Sequence, residues 1–222
     1  MADHFDTPTK FGVGQPVRRY EDARLLTGRG HYQDDVTQPR QTWCVFVRSM
    51  HAHAKINGID TAAAKAAPGV VAVLTGADYA ASGLGMPKAN MPRKKRDGSP
   101  MFAPQRPPIV VDRARYVGDI VAMVIAETLA EAKDAAELVI VDYEALPAVT
   151  NVALAAEPNA PRVWDENPDN ISHTFERGNK AAVDAAFAKA KHIVRRRHVV
   201  SRVHAQYMEP RGSLGVYDKF ED

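Results

Sequence analysis

Apolar and polar positions along the chain fall into two strand–helix–strand stretches, separated by a long irregular segment. Residues 42–49 form a β-branched and aromatic run suited to a buried strand, and 54–59 read as a second strand that ends at Gly58 and Asp60. Asp60 is placed to cap a short Ala-rich helix over 61–67, and Pro68-Gly69 stops that helix before the continuous apolar run 70–74. The second stretch reads as a strand over 119–126, a helix over 129–138 and a strand over 139–143. Its helix start is well marked, because Thr128 and Glu131 have capping-box spacing. Leu129, Ala132, Ala136 and Val139 then recur at helical intervals. Each stretch is a β-α-β unit.

The flanking segments are less regular. Residues 1–15 lack periodicity and read as an arm or a disordered leader, and Leu25-Leu26 followed by Gly28 and Gly30 reads as one helical turn and a tight loop. Residues 83–108, rich in Pro, Gly, Met and basic side chains, read as a long ordered loop, and 151–178 read as a linker. Asn179 is placed to cap a helix with Val183, Ala186, Phe187 and Ala190 on one face. Residues 192–202 alternate as a strand would, and 212–218 read as another short strand.

Composition adds a few exclusions. At 45% hydrophobic and 25% charged over 222 residues, the chain is able to bury a core. It has no apolar run near the roughly 20 residues that cross a bilayer, and its start is polar and acidic. The expectation is therefore a cytoplasmic protein without membrane insertion. A net charge of +2 gives no reason to expect nucleic acid as a partner. Cys44 is the single cysteine, which excludes an internal disulfide and leaves any iron–sulfur centre to a partner chain. Its place within Trp43-Cys44-Val45-Phe46-Val47 favours a buried small hydrophobe over a reactive thiol.

Several side-chain groups are candidates for chemistry. His51 and His53, alternate residues on a strand, would share one face and could share a metal ion, but no third ligand is nearby, so the structural reading is preferred. Arg93-Lys94-Lys95-Arg96 reads as a solvated face or interface patch, and Arg195-Arg196-Arg197, in the expected strand, would not put its charges on one face. Asp34-Asp35 and the helix carboxylates Glu131, Asp134 and Glu137 lack the burial that acid–base work requires. Gly83-Leu84-Gly85 leads into Met86-Pro87 and opens no phosphate-binding helix. Glu209-Pro210-Arg211-Gly212 could meet a cofactor or substrate, although a turn-stabilising ion pair is the simpler expectation. No residue is thus assigned a catalytic, cofactor-binding or metal role.

Four segments, in order, resemble the large subunit of the molybdenum hydroxylases: xanthine dehydrogenases, aldehyde oxidases and aerobic carbon monoxide dehydrogenases. They are Gly14-Gln15-Pro16-Val17-Arg18-Arg19-Tyr20-Glu21-Asp22 with Leu25, Gly28, Gly30, Tyr32 and Asp34-Asp35; Arg48-Ser49-Met50-His51-Ala52-His53-Ala54-Lys55-Ile56 with 69–76; Tyr116-Val117-Gly118-Asp119 continuing through Leu146-Pro147; and His204-Ala205-Gln206-Tyr207-Met208-Glu209-Pro210-Arg211-Gly212. The resemblance implies an α+β fold: an α/β-hammerhead with a mixed sheet and short crossover helices over 28–148, preceded by an arm over 1–27. A linker over 149–178 and the start of a molybdopterin-binding domain over 179–222 would follow. It also implies an oxidoreductase complex, with molybdopterin in the complete subunit and 2Fe-2S clusters and FAD in partner chains. Family members continue for several hundred residues past this point. The chain is then expected to be a fragment, a truncated product or one half of a split subunit, inactive alone and bracing the remaining part of the molybdenum subunit. A free-standing hammerhead interaction module is the alternative, and a nucleic-acid binder acting through the basic runs a weaker one.

Overall fold

A computed structural model describes residues 19–87, 91–201, 203–207, 209 and 211–220; the expected arm over 1–15 lies outside them. In chain order the elements are α1 (Asp22–Leu26), a 3-10 turn (Gln33–Asp35), β1 (Trp43–Arg48), β2 (Ala54–Asp60), α2 (Ala62–Ala66), β3 (Val70–Thr75), α3 (Gly76–Ala81), β4 (Arg113–Ala114), β5 (Ile120–Ala126), α4 (Leu129–Glu137), β6 (Ile140–Ala145) and α5 (Lys180–Lys189). The strands form two three-stranded sheets, ordered β1-β5-β3 and β4-β2-β6.

The α+β class stands, but the mixed sheet is corrected: among the described residues every strand pairing is antiparallel. Each β-α-β unit divides its strands between the sheets, β2 from β3 and β5 from β6. The α2 connection over 61–69 is shorter than the dozen or so residues a parallel crossover needs, so it spans from one sheet to the other. The two units thereby interlock. β2 of the first pairs with β6 of the second, and β3 with β5.

Local chemistry sets the helix ends. The Thr128 hydroxyl accepts the Glu131 N–H at 3.2 Å and donates to Glu131 Oε2 at 2.7 Å, so α4 starts where the capping spacing placed it. Asp60 Oδ1 accepts the Ala62 N–H at 2.9 Å, and Gly69 ends the α2 connection at φ +70°. α3 is an element beyond those expected from the sequence, although Thr75 and Asp78 carry the same spacing; Asp78 Oδ2 accepts both the N–H and the hydroxyl of Thr75 at 2.7 Å.

The core is built largely from alanine and valine. Val73, Ala122 and Val124 of the first sheet pack with Ala64 of α2 and Ala135 of α4, while Ile56, Val110 and Val121 form a second cluster. Val47, Ile59 and Val141 touch both clusters, so one apolar layer runs under both sheets. Small side chains let the short helices lie close to the strands. The expectation of a buried strand over 42–49 is corrected: β1 is an edge strand whose residues alternate between half-buried and exposed, with Trp43, Val45 and Val47 inward.

α5 begins at Asn179, whose side chain accepts the Ala182 N–H at 3.0 Å, and it buries no residue. The strands expected over 192–202 and 212–218 are absent among the described residues; these segments have no regular structure and join neither sheet. Alternation makes a strand only where a neighbour supplies hydrogen bonds, and no strand among the described residues pairs with them. The described residues divide into two compact units, Arg40–Arg195 being one, and those up to Pro39 together with those from Arg196 onward the other. No helix among the described residues is long and apolar enough to cross a membrane.

Candidate functional site

A polar cluster gathers where the chain turns from β1 into β2. Ser49 is buried, its hydroxyl accepting the His51 N–H at 3.1 Å and donating to the His51 carbonyl at 3.2 Å. That turn carries His51 onto Tyr143 of β6, ring centroids 4.8 Å apart, and burial pushes the Tyr143 phenol up from its ordinary value. His53, 8% exposed, sets Nδ1 2.8 Å from the Pro147 carbonyl, which requires Nδ1 to carry the proton. Its Nε2 is buried without a hydrogen-bond partner. The two histidines therefore lie in a bend, not on a strand, and serve different partners. Among the described residues no three His, Cys, Asp or Glu side chains are grouped to hold a metal ion.

Beside them, β4 meets the segment after β6. The Arg115 N–H donates to the buried Asp119 carboxylate at 3.0 Å, and its guanidinium lies 3.6 Å from the Trp164 ring centroid. Burial lowers the Arg115 pKa from its ordinary value, with Asp112 and Asp119 acting in the opposite sense. Tyr116 is pushed up by burial and then by Asp119. Arg113 pairs with Asp165 at 3.1 Å, holding that exposed carboxyl below the usual range. Trp164 also stands edge-on to Phe102 at 6.2 Å, and Ser172 exchanges hydrogen bonds with the Phe102 backbone. Asn170 organises the approach to this junction: its Nδ2 donates to the Ala155 and Pro161 carbonyls and its Oδ1 accepts the Val163 N–H, all at 2.9 Å. The arrangement fastens residues 155–173 to the sheets. Its hydrogen bonds, ion pair and ring contacts are those of cohesion and placement.

The remaining candidates stay apart from this junction. Arg93 lies over the Phe175 ring at 5.3 Å and Arg96 pairs with Glu176 at 2.5 Å, so half of the basic run is spent inside the protein's own fold. Glu131 belongs to the α4 cap, while Asp134 and Glu137 are exposed. Gly83 and Gly85 have positive φ, and the Tyr79 hydroxyl donates to the Gly85 carbonyl at 2.6 Å, which makes them a turn after α3. Arg195–Arg197 are exposed and lie on no strand. Cys44 is exposed on the outer face of β1, which corrects its expected burial; its partly desolvated thiol is nevertheless pushed up, away from the reactive thiolate.

The expected ion pair between Glu209 and Arg211 is also corrected. Glu209 Oε1 accepts the Gln33 N–H at 2.9 Å, and Arg211 Nε reaches the Tyr207 hydroxyl at 3.5 Å. Sequence reasoning missed the Arg115–Trp164 and Glu209–Gln33 contacts alike. Their partners are far apart in the chain, and no spacing rule links them.

Two family models match. One, described as aldehyde oxidase and xanthine dehydrogenase, a/b hammerhead domain, covers residues 27–147, and a molybdopterin cofactor-binding domain covers 163–222. Among curated proteins, the nicotine 6-hydroxylase large subunit of Paenarthrobacter nicotinovorans is 39% identical over 99% of this chain and 26% of its own length. The carbon monoxide dehydrogenase large chain of Afipia carboxidovorans is 36% identical over 95% of this chain and 26% of its own. The crystal structure of quinoline 2-oxidoreductase from Pseudomonas putida 86 superposes with a TM-score of 0.63 at 36% identity, covering 84% of this chain and 23% of that one. The chain thus spans about a quarter of the length of the curated relatives it matches. With a hammerhead match across more than half of its residues and a molybdopterin-domain match after it, the chain belongs to the aldehyde oxidase and xanthine dehydrogenase family of molybdenum hydroxylase large subunits.

Proposed function

We propose that this chain works as the N-terminal part of the molybdenum-bearing subunit of a hydroxylase and is inactive by itself. The observation that carries this reading is the state of the molybdopterin-matched segment: within 163–222, Asn167 is the one described residue that is buried. Val194, Val199, Val200 and Val203 are each at least 80% exposed there. Apolar side chains in that number, on segments that alternate like strands but pair with no strand among the described residues, favour covering by further polypeptide of the same subunit.

The described residues of 174–220 are exposed and no metal ligands are grouped among the described residues, so no step of the reaction is assigned to them. In the assembled enzyme the reaction class would be oxidative hydroxylation, in which water supplies the oxygen and two electrons leave the substrate. 2Fe-2S clusters and FAD in companion chains would carry those electrons away. The part of this chain would be to brace the molybdenum domain and contact those subunits, in the cytoplasm. Its relatives are named for substrates as different as nicotine and carbon monoxide, so no substrate is carried over.

The test is native mass spectrometry with metal analysis on material purified through this chain from its own cells. Co-purification with molybdenum and with iron–sulfur and flavin chains is the expected result. A lone, metal-free polypeptide would overturn the reading and leave a free-standing hammerhead module.

A further inference from the structure

Two of the segments on which the sequence resemblance rested come together in one place. The 3-10 turn Gln33–Asp35 has backbone N–H groups at its start that no carbonyl of the turn can take. Asp35 Oδ2 accepts one of them, the Tyr32 N–H, at 2.9 Å. Glu209 Oε1 accepts the next, the Gln33 N–H, also at 2.9 Å, from 176 positions along the chain. Close approach is built in at Gly212, where an added Cβ would stand 2.8 Å from Gln33 Cδ and Oε1. Glu209 has no cationic partner among the described ion pairs, since Arg211 turns to Tyr207.

We propose that Glu209 is a positioning residue that latches the 33–35 turn onto the molybdopterin-matched segment, so that the turn belongs structurally with residues 196–220 rather than with the hammerhead. The division of contacts agrees, since it groups the described residues up to Pro39 with those from Arg196 onward. The hammerhead family model starts at residue 27, so the latch draws about a dozen residues of that matched span toward the other segment. A carboxylate suits the task because a charged acceptor bonds a turn-starting N–H more strongly than a neutral one. In the assembled subunit the consequence is that the polypeptide leading into β1 is oriented by the molybdopterin segment; that consequence rests on the function proposed above, whereas the contact does not.

Hydrogen–deuterium exchange on the full chain, as purified with whatever companions it carries, tests the latch without any metal or turnover. Glu209→Ala should speed exchange at the Gln33 amide about tenfold, as loss of an ordinary hydrogen bond does, while amides of β5 keep their protection. Glu209→Gln keeps an acceptor and should restore part of the protection. Gly212→Ala should have the smaller effect, because the far end of the Gln33 side chain is free to swing aside. Equal exchange at Gln33 in the parent and Glu209→Ala proteins would overturn the inference, as would a turn that exchanges in the parent as fast as an unfolded chain. Those outcomes concern only this contact, whereas failure of the molybdenum-subunit reading would appear as missing metal and companions with the latch intact.

Discussion

The Arg115 guanidinium carbon lies over the Trp164 indole, 3.6 Å from the ring centroid, and joins the end of β4 to a segment almost fifty residues further along the chain. Burial has already stripped part of the water from Arg115, which strengthens a cation–π contact. Arg115→Ala should cost about 1–2 kcal/mol of stability, and Arg115→Lys nearly as much, because a compact, strongly hydrated ammonium does not reproduce the guanidinium's contact with the ring. Urea unfolding followed by tryptophan emission reads both variants. Midpoints equal to that of the parent would show that the stack is incidental.

Gly76 opens α3 against the backbone of the segment after the long loop, where an added Cβ would fall 2.2 Å from the Val110 carbonyl oxygen. A carbonyl cannot swing aside as a side chain can. Gly76→Ala should therefore destabilise the protein by about 2–3 kcal/mol, in the range of overpacked cores. Gly58 in β2 has open space at the same test and no positive φ, so Gly58→Ala should stay within about 0.5 kcal/mol of the parent. Thermal unfolding of the two variants side by side decides the matter; equal losses would show that the close approach does not limit the fold.

How far the sequence could be read followed the range of the interactions. α4 was legible because Thr128, Glu131 and the apolar interval all lie within one helix. The β3 and β5 strands were legible because each is a short run of β-branched or apolar residues between turn residues, and β2 because Ala54, Ile56 and the turn residues Gly58 and Asp60 mark its course. Which sheet each joined was not legible, since Trp43 pairs with Ala126 and Ala54 with Ala145, and nothing local encodes such partners. α3 was legible in principle, through Thr75 and Asp78, and was overlooked. The reverse error occurred over 192–202, where alternation suggested a strand that has no neighbour to pair with. The polar junction was hidden for the same reason as the sheets: Arg113, Arg115, Trp164 and Asp165 are ordinary residues until the fold brings them together.

The α4 cap offers a test of a local interaction. Thr128→Ala removes the acceptor of the Glu131 N–H and should cost about 1 kcal/mol, whereas Thr128→Ser should keep most of it. Glu131 also lies over Gly69, so the cap is tied to the turn that leads into β3. Exchange of the first α4 amides should rise in Thr128→Ala along with the fall in melting temperature. An unchanged melting temperature would show that the cap is redundant.

Cys44 is exposed, yet its thiol pKa is raised by partial burial, and the two facts make opposite predictions for labelling. Access alone would give fast modification; a raised pKa leaves less thiolate, the reacting species, at neutral pH. The expected result is labelling by a thiol reagent at pH 7.5 slower than for a free cysteine, and accelerating as pH rises beyond the ordinary thiol range. The sign for stability follows from the same shift. The folded protein holds this proton more tightly than the unfolded chain, so the contribution of Cys44 is fully present below the unfolded pKa. It is lost as pH rises through the folded value. Cys44→Ser should flatten that alkaline loss, and labelling in the native protein at the rate of a free thiol would show that access, not ionisation, governs this residue.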